Sequence, residues 1–133
     1  MKGQIAIEYF IIISIAFLIL LPLILYANEL IVAYNDETRI SLAENAVKKI
    51  GENADWVYSQ GQPAKRTFEV YMPGGIDHLS LENSTVLITV RTSAGTVDQY
   101  YNTITPLNGS LPASEGYFEV SLTAYQNFVN VSW

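Results

Sequence analysis

The sequence predicts an α+β protein in which one long N-terminal helix precedes a small antiparallel β-sheet domain of about six strands. Three observations support this prediction. The segment Tyr9–Ala27 is almost entirely apolar, apolar residues then recur at helical spacing as far as Val57, and the sequence beyond Pro63 alternates between apolar and polar residues. A chain of 133 residues has room for one globular domain once the apolar segment is set aside.

The apolar segment Tyr9–Ala27 contains only Ser14 and Pro22 as exceptions. As a helix it would be about 28 Å long, close to the hydrocarbon thickness of a bilayer. Lys2 and the amine of Met1 favour a cytoplasmic N-terminus, with the rest of the chain outside. Because Pro22 removes one backbone hydrogen bond, a kink or a locally melted turn is expected there.

The helical pattern continues beyond the apolar segment, so a single helix is predicted over residues 4–58. Its apolar stripe follows spacings of three and four: Ile40, Ala43, Val47, Ile50, Ala54 and Val57. The acidic residues of this stretch are expected on the solvated side: Asp36, Glu37, Glu44, Glu52 and Asp55. The breaker cluster at residues 59–63 ends the helix.

Residues 59–133 predict a β-rich domain, one antiparallel sheet curled into a small sandwich or partial barrel, with the helical stripe covering one face. Residues 104–116 contain two prolines and two glycines and are expected to form a long exposed loop. The predicted strands are Arg66–Met72, His78–Leu81, Thr85–Thr92, Thr96–Thr103, Tyr117–Ala124 and Phe128–Trp133.

Composition argues against several functional classes. The chain has no cysteine, which excludes a disulfide framework, a thiolate zinc site and a cysteine nucleophile. Its net charge is −6, without the clustered basic face that nucleic acid binding requires. The single histidine, His78, has no partner in sequence, and no phosphate loop, catalytic triad order or calcium-loop spacing is present. Neither an enzyme nor a cofactor, a metal site or a nucleic acid partner is expected.

The first residues carry a family resemblance, in the order Lys2-Gly3-Gln4-Ile5-Ala6-Ile7-Glu8-Tyr9. This segment resembles the class III signal peptide and processing site of archaeal type IV pilins. The resemblance implies cleavage by a prepilin peptidase between Gly3 and Gln4. Residues 1–3 would then be the leader peptide, residues 4–58 the long helix and residues 59–133 an extracellular head domain.

The resemblance also implies a function for the helix. It would lie in membrane lipid before assembly and in the filament core afterwards, packed against copies of itself. Glu8 would neutralise the new amine of Gln4 on an adjacent subunit and so set the axial register. The expected protein is a structural subunit of a pilus-like adhesion filament on the archaeal cell surface, with a membrane precursor whose N-terminus is cytoplasmic. Its partners would be itself, the prepilin peptidase and the pilus assembly platform in the membrane.

Three other interpretations stay open at this point. The chain could be a membrane-anchored extracellular binding module that carries a pilin-like signal without polymerising. It could be a plain single-pass anchor whose Glu8 lies in the headgroup region. An archaellum subunit is less favoured, because archaellin N-termini generally lack the acidic residue that Glu8 supplies.

Three sequons predict sites of N-glycosylation at Asn83, Asn108 and Asn130. Asn83 falls at a predicted turn and Asn108 in the predicted loop, so both are plausible acceptors. Asn130 falls within a predicted strand and is the least favourable of the three. The intact mass of native material would test this prediction.

Overall fold

The computed structural model describes the whole chain, Met1–Trp133. One helix, α1 (Lys2–Gln60), precedes seven strands, and this confirms the predicted α+β fold. The strands are β1 (Lys65–Met72), β2 (Ile76–Glu82), β3 (Thr85–Thr92), β4 (Gly95–Asn102), β5 (Leu107–Gly109), β6 (Gly116–Ala124) and β7 (Val129–Ser132).

The chain divides into two compact units, Met1–Asn35 and Asp36–Trp133. The first unit is wholly helical apart from its first residue. The second unit contains the rest of α1 together with all seven strands. The amphipathic half of the helix therefore belongs to this second unit, Asp36–Trp133, which is called the β unit below.

The strands form two sheets, whereas a single antiparallel sheet was predicted. One sheet has the order β1-β6-β7-β5 and the other the order β2-β3-β4. The second sheet joins strands that follow each other along the chain, but β1 pairs with the distant β6. The sequence pattern locates strands and local hairpins, and it contains no comparable signal for such a long-range partner. The prediction of one sheet is therefore wrong, although the predicted bounds of the six strands lie within two residues of those observed.

The predicted exposed loop at residues 104–116 is also wrong. It contains β5, which pairs parallel to β7 and leaves Leu107 and Leu111 buried. Leu107 N–H donates to the carbonyl of Asn83, so the segment is attached to the β2–β3 turn. Gly109 has φ of 125° and lies so close to the carbonyl of Val131 that a side chain would overlap it. Gly109 therefore permits β5 to pair with β7. The prolines and glycines of the segment had indicated an irregular loop instead.

The predicted stripe on α1 is confirmed as the docking face of the helix. Its last five members are buried, and Ile40 packs at the margin of the core. Between the two sheets the core also contains Val70, Met72, Val86, Ile88, Val90, Val120, Leu122, Ala124, Val129 and Val131. Strand β7 ends one residue before the predicted Trp133, which is exposed and packs edge-on against Phe118.

The helix contacts an edge strand of each sheet. Lys49 Nζ donates to the carbonyl of Glu69 on β1, and Gly51 lies directly against the Tyr101 ring on β4. Strands β1 and β4 each lie at an edge of their sheet. Helix α1 therefore covers the core and is joined to both sheets by these contacts.

Two of the acidic residues predicted on the solvated side bond to the β unit instead. Asp36 accepts hydrogen bonds from the N–H and the hydroxyl of Ser93, at 2.9 Å and 2.5 Å. Asp55 accepts from the N–H of Ile104 at 2.8 Å and from the hydroxyl of Tyr101 at 3.3 Å. The prediction holds for Glu37, Glu44 and Glu52, which are exposed. The sequence alone does not show whether a carboxylate beside an apolar stripe will accept a hydrogen bond from the N–H of a loop.

The Asp36 contact makes the stability of the β unit depend on pH. The hydroxyl of Ser93 first, and its N–H second, lower the pKa of Asp36 below the usual 3.8. A carboxyl whose pKa is lowered by folding stabilises the protein above its unfolded pKa, and that stability is lost as pH falls through the folded value. We expect Asp36→Asn to lower the free energy of unfolding near neutral pH, with a difference from the wild type that shrinks below pH 3.8.

Urea unfolding of the detergent-solubilised chain, followed by tryptophan fluorescence near pH 7 and near pH 3, measures this difference. Glu37→Gln is the matched control, because Glu37 is the adjacent residue and is exposed. A deficit in Asp36→Asn that stays constant across this range would rule out the Ser93 contact as its cause.

Candidate functional site

The candidate site is the N-terminal unit, Met1–Asn35, because of its long and exposed apolar surface. No group of three or more His, Cys, Asp or Glu side chains is placed to hold a metal ion. No buried side-chain nitrogen or oxygen lacks a hydrogen-bond partner. His78 is exposed on β2.

The outstanding property of the N-terminal unit is its exposed apolar surface. Helix α1 is long and apolar enough to cross a membrane, with a mean hydropathy of 2.9 over its most apolar 18-residue window. None of that window is buried. Between Ile5 and Tyr34, 21 large hydrophobic side chains are exposed, for example Phe10 at 71% and Leu18 at 73%. Leaving one such side chain in water costs about 1.5–3 kcal/mol relative to burying it, so this unit requires apolar surroundings.

The predicted processing residues Gly3 and Gln4 lie exposed in the first turn of α1. A Cβ placed on Gly3 would have no neighbour within 4 Å. This turn has no acidic side chain, and Lys2 places a positive charge where the helix dipole favours a negative one. Its first N–H groups have no partners within the helix, and glycine costs about 1 kcal/mol in a helix relative to alanine. The turn is therefore only weakly held in the helical conformation.

Glu8 lies exposed one turn after Gln4, at a spacing of four residues that puts both on one side of the helix. No Lys, Arg or His occurs between Gln4 and Thr38. If the chain is cut before Gln4, the new amine becomes the sole cation of this apolar stretch. Glu29, the second carboxylate of the unit, lies 21 residues further along, and the basic side chain of the unit, Lys2, is 27 residues before it.

Pro22 lies within α1 and does not interrupt it, since helix extends on both sides without a break. The alternative of a locally melted turn at this position is therefore wrong. The kink at Pro22 stays a prediction.

The structure places the three sequons in different surroundings. Asn83 is exposed in the two-residue turn between β2 and β3, with φ of 50°, a conformation that asparagine tolerates well. Asn108 is exposed but lies in β5 and not in a loop, which corrects the prediction. Asn130 is half-buried in β7, directly opposite Asn108. Accessibility thus favours Asn83 and Asn108 as acceptors.

Sequence reasoning missed the polar contacts that join α1 to the β unit, those of Asp36, Lys49 and Asp55. Their partners, which include the side chain of Tyr101 on β4, lie far along the chain, and no periodic signal in the sequence points to them.

Comparisons of the chain with protein-family models, with curated proteins and with solved structures found no match.

Proposed function

We propose that this chain is a structural subunit of an archaeal type IV pilus-like surface filament. A prepilin peptidase would cut it between Gly3 and Gln4, and the assembly platform would polymerise it through the apolar part of α1. The observation that carries the proposal is the exposed apolar surface of the N-terminal unit, together with Gly3, Gln4 and the Glu8 carboxylate at its head. A bilayer would bury this surface before assembly, and copies of the same helix would bury it afterwards.

The transfer of the helix from lipid to filament gains little from the hydrophobic effect itself. Lipid tails are as apolar as leucine side chains, so helices associate in such surroundings through packing and polar contacts. A single charge pair can therefore determine the relative position of two helices that otherwise slide freely. Glu8 and the Gln4 amine supply one such pair for each contact between subunits.

The spacing between Gln4 and Glu8 determines how far neighbouring subunits are displaced from each other along the filament axis. Four helical residues correspond to about 6 Å along the axis. A neighbouring subunit displaced by that distance towards the head places its Gln4 amine beside Glu8. Both charges are then paired within the apolar core, where an unpaired one costs at least a few kcal/mol.

The β unit would face the surroundings of the cell and carry the adhesion role. Two exposed sequons, at Asn83 and Asn108, support glycosylation of this outward unit. The precursor would lie in the cell membrane with a cytoplasmic N-terminus, as the charge of Lys2 favours.

Electron microscopy of the sheared surface fraction, with gold-labelled antibody against the β unit, tests the proposal. Filaments decorated along their whole length are the expected result. Label confined to membrane fragments, with monomers after detergent extraction, would instead support the anchored, non-polymerising binding module.

A further inference from the structure

An open groove of about 490 Å³ lies at one end of the β unit, and the filament function does not account for it. Its lining consists of Gln62, just after α1, and Tyr125–Phe128, the turn between β6 and β7. Tyr125 N–H donates to the carbonyl of Phe128 at 2.9 Å and closes the turn. Ala124 N–H donates to the carbonyl of Ala64 at 2.8 Å and holds the segment with Gln62 beside it.

The groove presents an aromatic platform. The rings of Tyr125 and Phe128 are stacked, with centroids 4.8 Å apart and planes 9° from parallel. Phe128 is half-buried, whereas Tyr125 is 41% exposed. The stack covers one face of the tyrosine ring and restricts its rotation, so that its remaining surface is presented in one orientation. Such preorganisation lowers the entropy that is lost when a ligand binds.

Three side-chain amides surround this platform, those of Gln62, Gln126 and Asn127. All three residues are exposed, and their amides make no hydrogen bond within the chain. Each amide offers two donors and an acceptor oxygen. No charged residue lines the groove, so an ionic ligand would find no counter-charge there.

We propose that this groove binds neutral oligosaccharides. The apolar C–H face of a hexose ring would pack on the exposed face of Tyr125, where the electron-rich ring attracts C–H hydrogens. Its hydroxyl groups, each a donor and an acceptor, would pair with the three amides. A polar but uncharged ring with one apolar face matches both components of the groove.

The position of the groove suits a ligand met from outside. Asp36, where α1 enters the β unit, bonds to Ser93 in the β3–β4 turn. Gln62 follows the other end of α1, and the helix from Asp36 to Gln60 measures roughly 36 Å. The groove is therefore far from the point at which the helix enters the β unit. The inference depends on the proposed function in one respect. It takes adhesion as the role of the β unit and names neutral oligosaccharides as the class of ligand that is bound.

Binding is tested with the full chain in detergent, titrated with maltopentaose, cellopentaose or mannopentaose. We expect saturable binding of at least one probe with a Kd of about 1 mM. Tyr125→Ala should weaken it about tenfold or more, as truncation of an aromatic anchor does. The double variant Gln62→Ala/Gln126→Ala should weaken it severalfold without disturbing the turn, because neither amide bonds to the chain. Tyr100→Ala is the matched control, an exposed tyrosine on β4 outside the groove.

Three results would overturn the inference. They are no saturable binding of any probe up to about 10 mM, binding that is unchanged in the Gln62→Ala/Gln126→Ala variant, and tighter binding of the charged probe trigalacturonate. Because detergent-solubilised chains are used, none of these results depends on filament assembly, and a failure of the filament proposal would show separately by microscopy.

Discussion

Glu8→Ala is expected to leave the chain inserted in the membrane and to abolish filaments or make them sparse. Removing a charge from the head of the apolar helix makes insertion in lipid easier. Filament assembly, in contrast, would become less favourable, because the Gln4 amine of the neighbouring subunit would then enter the filament core without a counter-charge. Leaving one member of a buried charge pair unpaired costs about 3–5 kcal/mol per contact, and a filament repeats that cost at every subunit.

The measurement for Glu8→Ala is filament yield per cell by electron microscopy, beside the amount of chain in the membrane fraction by immunoblot. Glu29→Ala is the matched control, since it removes the other carboxylate of the same unit, for which no amine lies four residues earlier. Glu8→Gln should behave like Glu8→Ala, because the charge and not the shape of the side chain neutralises the amine. Normal filament yield in either Glu8 variant would exclude its role in register.

Gly51→Ala is expected to destabilise the β unit by up to about 2 kcal/mol, even though alanine is the better helix former. A Cβ at residue 51 would overlap the Tyr101 ring at its attachment point, where the side chain cannot simply swing aside. Overpacking of this kind costs about 1–3 kcal/mol, of which the helix preference of alanine returns at most about 1 kcal/mol. Displacing the ring would also disturb the Tyr101–Asp55 contact. Burial first, and the Asp55 carboxylate second, raise the pKa of this phenol.

A second background separates this clash from a general effect of substitution in the helix. In the Tyr101→Ala variant the overlap is gone, and Gly51→Ala should there become neutral or stabilise by up to about 1 kcal/mol. Urea unfolding of the four proteins, followed by tryptophan fluorescence, gives the coupling free energy. An equal loss of stability in both backgrounds would contradict a direct contact between residue 51 and the ring.

The parts of the fold that were predictable are those that depend on local periodicity. The stripe from Ala43 to Val57 repeats at helical spacing, and its burial follows wherever a sheet is available to cover. The alternation in Thr85–Thr92 is equally regular, and β3 has the predicted bounds. Both patterns express an intrinsic geometry, with periods of 3.6 and 2 residues, that exists before any tertiary contact forms.

The parts that were not predictable depend on contacts between distant residues. Strand β5 forms because Leu107–Gly109 meets β7 about twenty residues later in the chain, and its own composition favours a loop. The contacts of Asp36 and Asp55 require turns whose positions only the complete fold defines. The groove at Tyr125–Phe128 likewise combines Gln62 with a turn more than sixty residues away. At the head of α1 the residues of the proposed assembly segment are contiguous, so this hypothesis comes from the sequence alone and stays a prediction.

The most direct test of the central claim is the N-terminal residue of the chain in native surface material. Mass spectrometry of the N-terminal peptide from sheared filaments should find a chain that begins at Gln4, either as glutamine or cyclised to pyroglutamate. A free glutamine amine agrees with the Glu8 pairing, whereas a pyroglutamate would require Glu8 to accept a hydrogen bond instead. A chain that begins at Met1, or beyond Ala27, would contradict the account, because α1 would then lack the processed end that assembly is proposed to use.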